Sequence, residues 1–253
     1  SGSRENRIII HMEGFTQVNL HCHTNFSDGS LSPQGLADGL AAAGVQYVAL
    51  TDHDTVDGIS ELQVALRKHH ISLIPGVEIT TYWGETEVHI LAYGIDTNHQ
   101  QLAVTLHSLR QSQDLGTHSI AASIRRKGDG ARLETTLKSA DTPNGRLDIQ
   151  EALALIHRAG GLAFMAHTYA LHAELTQLET AVKQLKAWGL DGLEVFYTAY
   201  TPIQRQELES LAQKLGLLMS AGTDAHSSAD EFGIAMPTAA WRVRLWKHIA
   251  MPV

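Results

Sequence analysis

The sequence predicts an α/β fold with a largely parallel sheet, barrel-like or doubly wound, and three features carry that expectation. Short apolar, β-rich runs alternate with longer helical patterns over residues 16–98 and again from 148 onward. Histidines and carboxylates gather at the C-terminal ends of the apolar runs, where such sheets build their sites. The chain has 253 residues, 43% hydrophobic and 18% charged, enough for one large domain or one domain with a small insertion.

The first strand is "TQVNLHCH" (16–23). "SPQGLADGLAAAG" (32–44) is a helix with Ser32 as N-cap, Pro33 at its first position and Gly44 past its end. "VQYVALTDH" (45–53) is the second strand, and "GISELQVALRKHH" (58–70) is a helix with Ile59, Leu62, Val64, Ala65 and Leu66 mostly near helical spacing. "ISLIPGVEIT" (71–80) and "EVHILAYGI" (87–95), separated by the turn-like "WGE", read as a hairpin.

Residues 99–128 are helical in pattern and end in the basic "RRKGDG". Residues 131–146 are polar and aperiodic, so 99–147 reads as an insertion from the main fold. Alternation resumes with helix 148–161, strand "LAFMAH", helix "ELTQLETAVKQLKAWG", strand "DGLEVFY", helix "PIQRQELESLAQKLG" and strand "LLMSAGTDAH". The barrel is thus assigned to 14–98 and 148–253, with 231–253 mixed in character. Residues 1–13, with "SGSRENR", are set aside as a loose terminus or expression remnant.

A formal net charge of −8 argues against a general nucleic-acid-binding surface. One cysteine excludes an intrachain disulfide framework. No apolar run has membrane-span length and no signal-peptide pattern is present, so a cytoplasmic location without a membrane is the expectation. No obligatory protein partner is implied.

The chemistry-bearing residues lie in ordered segments. His21 and His23 end "VNLHCH", His53 follows "YVALTD", Glu78 closes "LIPGVE", His167 closes "LAFMAH", and Asp224 and His226 follow "LLMSAGT". Asp28 sits in a Ser-Asp-Gly turn, and His89 opens the antiparallel hairpin strand. Residues two apart on an extended segment share a face, so His21 and His23 point together. On that argument Cys22 faces the other way, with Val18 and Leu20, and packs under helices. Imidazole and carboxylate without sulfur suit Zn, Mn, Fe or Co. Six histidines and three carboxylates exceed the needs of one ion, which implies two or three metals with shared ligands and hydrolysis of phosphate esters or amides.

"HCHTNFSDG", "TDHDT", "PGVEIT", "VHILAYG", "AHT" and "GTDAHS", in this order, resemble the PHP (polymerase and histidinol phosphatase) family over most of residues 16–98 and 148–237. The resemblance implies a distorted seven-stranded β/α barrel holding three divalent metals. Its implied ligands are His21, His23, Asp28, His53, Glu78, His89, His167, Asp224 and His226, with Glu78 bridging two metals. His21, His23, Glu78, His167, Asp224 and His226 are then the catalytic set. Mn²⁺, Zn²⁺ or Fe²⁺ are the expected cofactors. The short motifs look most like the stand-alone nucleotide phosphoesterases, including nucleoside 3′,5′-bisphosphate phosphatases and 5′-to-3′ exoribonucleases. The implied activity is hydrolysis of a small phosphomonoester, such as a nucleotide or an oligonucleotide end, by a hydroxide shared between metals. The insertion departs from that branch: its usual Gly-Arg-Pro-His run is at best degenerate in "GTHSIAASIRRKG".

Two alternatives stay open at this level: hydrolysis of a C–N or C–O bond in the same cup, and a non-catalytic metal-binding module. Asp52 and Asp54 flank His53 and read as supporting residues. Glu194 is divided evenly between a supporting and an ordinary role. His118, Arg125, Arg126, Arg132 and Arg146 lie in or beside the insertion and are the candidate substrate contacts. His69, His70, His99, His107, His157, His172 and His248 read as surface or structural.

Overall fold

In the computed structural model, which describes residues 14–116, 146–171 and 175–237, the alternating pattern becomes one nearly closed sheet wrapped by helices. Its elements in chain order are β1 (Phe15–Asn19), α1 (Pro33–Ala42), β2 (Tyr47–Leu50), α2 (Ile59–Leu66), β3 (Ser72–Trp83), β4 (Thr86–Tyr93), α3 (Gln100–Gly116), α4 (Ile149–Arg158), β5 (Leu162–Met165), α5 (Leu175–Ala187), β6 (Gly192–Tyr197), α6 (Pro202–Leu215), β7 (Leu218–Gly222) and β8 (Ile234–Pro237). The cap expected at Ser32 starts α1, and a second cap starts α6. Ser32 accepts from the Gly35 amide ahead of Pro33, and Thr201 forms a reciprocal box with Gln204 ahead of Pro202.

The strand order is β7-β6-β5-β4-β3-β2-β1-β8. β1–β3 and β5–β7 are parallel runs, and β4 is antiparallel to both β3 and β5, as the hairpin pattern predicts. The free edge of β1 has two partners. Its first half pairs with β8, from Phe15 with Pro237 to Val18 with Ile234. Beyond that the chain meets β7: Leu20 N donates to Ala221 O at 2.9 Å, and Asp224 N donates to His21 O at 2.8 Å. The seven expected staves therefore close, and β8 is an eighth strand that the sequence pattern left unassigned. Four residues ending in proline are too short to show a strand period.

One expectation about β1 is corrected. Val18 and Leu20 pack inside the barrel with Tyr93 and Phe164, while Cys22 packs outside with Leu36, Leu40 and Leu62. Cys22 thus does not share their face. Regular pairing of β1 stops at Asn19, whose side-chain oxygen accepts the His21 amide at 3.2 Å, a local turn that breaks the alternation. The same side chain joins the seam, its Nδ2 donating to Thr223 Oγ1 at 2.8 Å and to Phe232 O at 3.2 Å. His89 is also re-placed: it is the fourth residue of β4 and does not open it.

The described part of the predicted insertion belongs to the helical layer. Leu102, Leu106 and Leu109 of α3 are buried in the same cluster as Ile90, Ile149 and Leu153. The sequence boundary at residue 99 is therefore not a packing boundary. Arg110 ties α3 to the loop after β2, donating at 3.1 Å to both Thr55 Oγ1 and Asp57 Oδ2. Among the described residues, no helix is long and apolar enough to cross a membrane.

Gly222 marks the tightest point of the seam. A Cβ there would lie 2.2 Å from His21 Cβ and 2.9 Å from His21 N. Both are atoms of fixed backbone position, so Gly222→Ala is expected to cost about 1–3 kcal/mol of stability. A thermal unfolding midpoint equal to that of the parent protein would refute this.

Candidate metal centre

The site stands at the C-terminal mouth of the parallel strands. The chain beyond β1 brings His21 and His23, the loop after it Asp28, the chain beyond β2 His53, β3 Glu78, β4 His89, the chain beyond β5 His167, and the chain beyond β7 Asp224 and His226. All nine residues predicted from sequence meet here. The floor beneath them is largely apolar, made of Leu20, Leu91, Tyr93 and Phe164.

Glu78 is fully buried at the centre. Oε2 lies 2.9 Å from His21 Nε2, 3.2 Å from His23 Nε2 and 3.6 Å from His53 Nε2. Oε1 lies 3.0 Å from His89 Nδ1 and 3.2 Å from His167 Nε2. Burial opposes ionisation of this carboxyl. The charge on His21 and hydrogen bonds with His167 and His21 outweigh burial and hold it well below the usual carboxylate range. Asp224 Oδ1 adds a second bridge, 3.2 Å from His21 Nε2 and 3.0 Å from His23 Nε2. At the rim, Asp28 Oδ2 lies 3.3 Å from His226 Nε2 and 3.9 Å from His53 Nε2. That contact with His226, above all, holds Asp28 down to about 2.

Donor atoms fall into three groups, each within 4.8 Å of one another: His21, His23, Glu78 and Asp224; His53, Glu78 and His89; and His23, Asp28, His53 and His226. Glu78, His23 and His53 each belong to two groups. The donors are nitrogen and oxygen only, which fits borderline divalent ions. A further observation tests the fit. Both ring nitrogens of His23 are buried and make no hydrogen bond, although Nε2 lies 3.0 Å from Asp224 Oδ1. A buried imidazole without a hydrogen bond is costly, and a metal ion at Nε2 removes that cost on one side.

The surrounding residues hold the donors in place. Asp52 accepts from Thr24 N at 2.6 Å, Thr24 Oγ1 at 2.7 Å and Ser27 Oγ at 2.8 Å, fixing the loop that carries Asp28. Asp54 accepts from Thr80 N at 2.9 Å. Both support the site, as their places beside His53 predict. Among the described residues four non-glycine residues have positive φ, and Asp54, His167 and Asp224 are three of them. Such backbone is sparsely populated and concentrates where donors must be aimed.

Two neighbours escape a reading of the sequence, which leaves a third open. Glu194, evenly divided there, lies 3.0 Å from His21 Nδ1 and accepts from His167 N at 2.7 Å. A glutamate inside the apolar "GLEVF" was its available signal, since an unpaired buried carboxylate is costly. Tyr197 Oη donates to Asp224 Oδ2 at 3.1 Å, and Glu87 Oε1 lies 3.1 Å from His89 Nε2. An aromatic at a strand end and an acid in a hairpin carry no such signal.

Of the candidate substrate contacts, His118, Arg125, Arg126 and Arg132 lie outside the described residues. Arg146 is not brought into the donor cluster. It sits at the β3–β4 tip, 2.7 Å from Glu85 Oε2 and 4.5 Å above the Tyr82 ring. His69 and His157 serve ordinary contacts, with Asp38 and Asp191. Cys22 donates its thiol to Ala49 O at 3.4 Å, and burial, above all, pushes its ionisation far up. Cys22→Ala is expected to leave metal stoichiometry unchanged and cost about 1 kcal/mol of stability. Loss of an equivalent of metal would overturn that assignment.

An imidazole–carboxylate cup with shared donors, over an apolar floor at a barrel mouth, defines the class of metal-dependent hydrolases. Comparisons place the chain within it. The PHP domain matches residues 19–127. A 5′-3′ exoribonuclease of Haemophilus influenzae is 33% identical over 246 residues, covering 83% of this chain and 90% of that protein. A 3′,5′-nucleoside bisphosphate phosphatase of Chromobacterium violaceum is 26% identical over 251 residues, covering 84% and 88%. Among solved structures, one described as an amidohydrolase from Chromobacterium violaceum with bound sulfate and no metal aligns with a TM-score of 0.69 at 26% identity, covering 87% of this chain and 90% of that one. The chain belongs to the PHP family and is a metal-dependent phosphoesterase.

Proposed function

We propose that this protein hydrolyses a small phosphomonoester, with a nucleotide or an oligonucleotide end as the preferred substrate. The centre holds two or three divalent ions, Mn²⁺, Zn²⁺ or Fe²⁺, through His21, His23, Asp28, His53, Glu78, His89, His167, Asp224 and His226. The observation that carries this reading is the buried Glu78 carboxylate with five imidazoles around it. The names of the relatives, which act on RNA or nucleoside bisphosphates, support the substrate class. Such a substrate suits a cytoplasmic setting.

Bound divalent ions supply water activation and a charge clamp on phosphoryl oxygens. The chain's own residues do the rest. Glu78 and Asp224 offset the positive charge gathered at the cup. His21 and His23 stay in place as charge develops, because their rings are fixed by burial and by contacts with the two carboxylates, and Glu78 also holds His167. The apolar floor offers these charges less screening than solvent would on that side.

The substrate side is assigned to residues 117–145 and to Arg146. Described chain re-enters beside the hairpin, where Tyr82 N donates to Leu147 O at 2.8 Å. His118, Arg125, Arg126, Arg132 and Arg146 are the proposed phosphate contacts. Their alanine variants should raise KM for a phosphorylated substrate with less effect on kcat. Unchanged KM for every variant would remove that assignment.

The test of the function is a panel of phosphomonoesters, nucleoside bisphosphates and short 5′-phosphorylated RNAs with protein reconstituted in each metal, and His21→Ala as control. Phosphate or nucleotide release by the parent protein and not by the control is the expected result. Metal-loaded protein that releases neither, but cleaves C–N or C–O bonds, would overturn it.

A further inference from the structure

We infer that Glu194 is the positioning residue that fixes His21 as an Nε2 donor to the metal centre. The inference rests on the reading of this site as a metal centre. Glu194 lies in β6, next to a register shift against β7, and is fully buried. Its two oxygens have two different partners: Oε1 is 3.0 Å from His21 Nδ1, and Oε2 accepts from His167 N at 2.7 Å.

The two contacts constrain one another. A backbone N–H can only donate, so Oε2 must accept. The remaining oxygen lies against the ring nitrogen and offers it an acceptor. His21 Nδ1 therefore keeps its proton, and Nε2, which faces carboxylates when no metal is bound, is the nitrogen a metal would take once its proton leaves. Nε2 is the nitrogen that faces the cup, 2.9 Å from Glu78 Oε2 and 3.2 Å from Asp224 Oδ1. The carboxylate cannot swing away, since a Cβ on Gly222 would already lie 2.7 Å from Oε1 and β7 backbone closes that side. The second contact acts on another donor. It accepts the amide of His167, whose backbone is held at φ 27° and ψ 58° while its ring reaches Glu78.

Glutamine has nearly the same shape and one acceptor fewer. With its oxygen on the His167 amide, its NH₂ points at His21 Nδ1, which must then accept. Only Nε2 then carries a proton, and a metal there would have to displace the ring's last one. A merely space-filling or seam-closing role would tolerate this change.

The experiment is Glu194→Gln, with metal affinity read by competition against a chromogenic Zn²⁺ chelator and histidine ring ¹⁵N shifts read on the zinc-loaded protein. The expected result is about 10–100-fold weaker zinc binding, with a metal-free unfolding midpoint close to the parent. Parent protein should show His21 protonated at Nδ1 and coordinated at Nε2. A folded variant with parental affinity and stoichiometry overturns the inference. If the variant fails to fold, the parent spectrum decides: coordination through Nδ1, or a proton on Nε2, overturns it. A parent protein that takes up no zinc, manganese or iron instead overturns the metal-centre reading, and this inference falls with it.

Discussion

Glu78→Gln should lower phosphoester hydrolysis by about 10³-fold or more, because it removes the one charge shared by two of the three donor groups. The substitution preserves volume, so the loss is electrostatic and not steric. Glutamine's amide nitrogen must face either His21, His23 and His53 on one side or His89 and His167 on the other. On either side it offers a donor where a metal needs an acceptor. Removing one partner from a buried ionic cluster also leaves the others uncompensated. Metal content measured after gel filtration should fall along with the rate. A variant with parental metal content and a rate within a few-fold of the parent would sink the central role of this carboxylate. A large rate loss at full metal content would place Glu78 in the chemistry but outside the binding of metal.

The donor cluster was readable because its residues are short in sequence spacing and chemically distinctive. His21 and His23 sit two apart at the end of one strand, and Asp224 and His226 repeat the spacing at another. The hairpin was readable from "WGE" between two β-rich runs. What escaped was set by the closure of the sheet. Whether Leu20 faces in or out depends on Asn19 turning the chain toward β7, a partner some 200 residues away that no local period reports. Glu194 likewise gains its role only when β6 is laid beside β5 and β7, bringing it against His21 and His167. β8 needs the unpaired first half of β1 to become a strand at all. Local chemistry announces donors, while the residues that aim them are fixed by long-range register.

Metal and pH should act on this protein in opposite senses above neutrality, and the gap between metal-loaded and metal-free stability should widen as pH rises from 6.5 to 9. In the metal-free protein His226 is raised to about 9, chiefly by its hydrogen bond to Asp28. Burial opposes protonation of His89, but contact with Glu78 outweighs it and raises the group to about 9 as well. Raised groups contribute stability below their ordinary value of 6.5, and that contribution is lost as pH climbs through 9. His53 runs the other way. Burial lowers it to about 4, so its unfavourable contribution fades as pH rises from 4 to 6.5. Asp28, lowered from 3.8 to about 2, adds stability above 3.8 that is lost on acidification through 2. The metal-free unfolding midpoint should therefore peak near pH 6.5 and fall toward 9. Metal ligation requires neutral imidazoles, so at pH 7 loading must expel the protons held by His89 and His226 and that of His21, which its carboxylate neighbours also raise well above 6.5, about three or more in all. Affinity then rises toward pH 9 while the metal-free fold weakens. Titration calorimetry at pH 7 in buffers of different ionisation enthalpy gives the proton count directly, and unfolding midpoints with and without Zn²⁺ across pH 6–9 give the gap. A proton count near zero, or a gap that narrows with pH, would show that these imidazoles are not displaced from their carboxylates when metal enters.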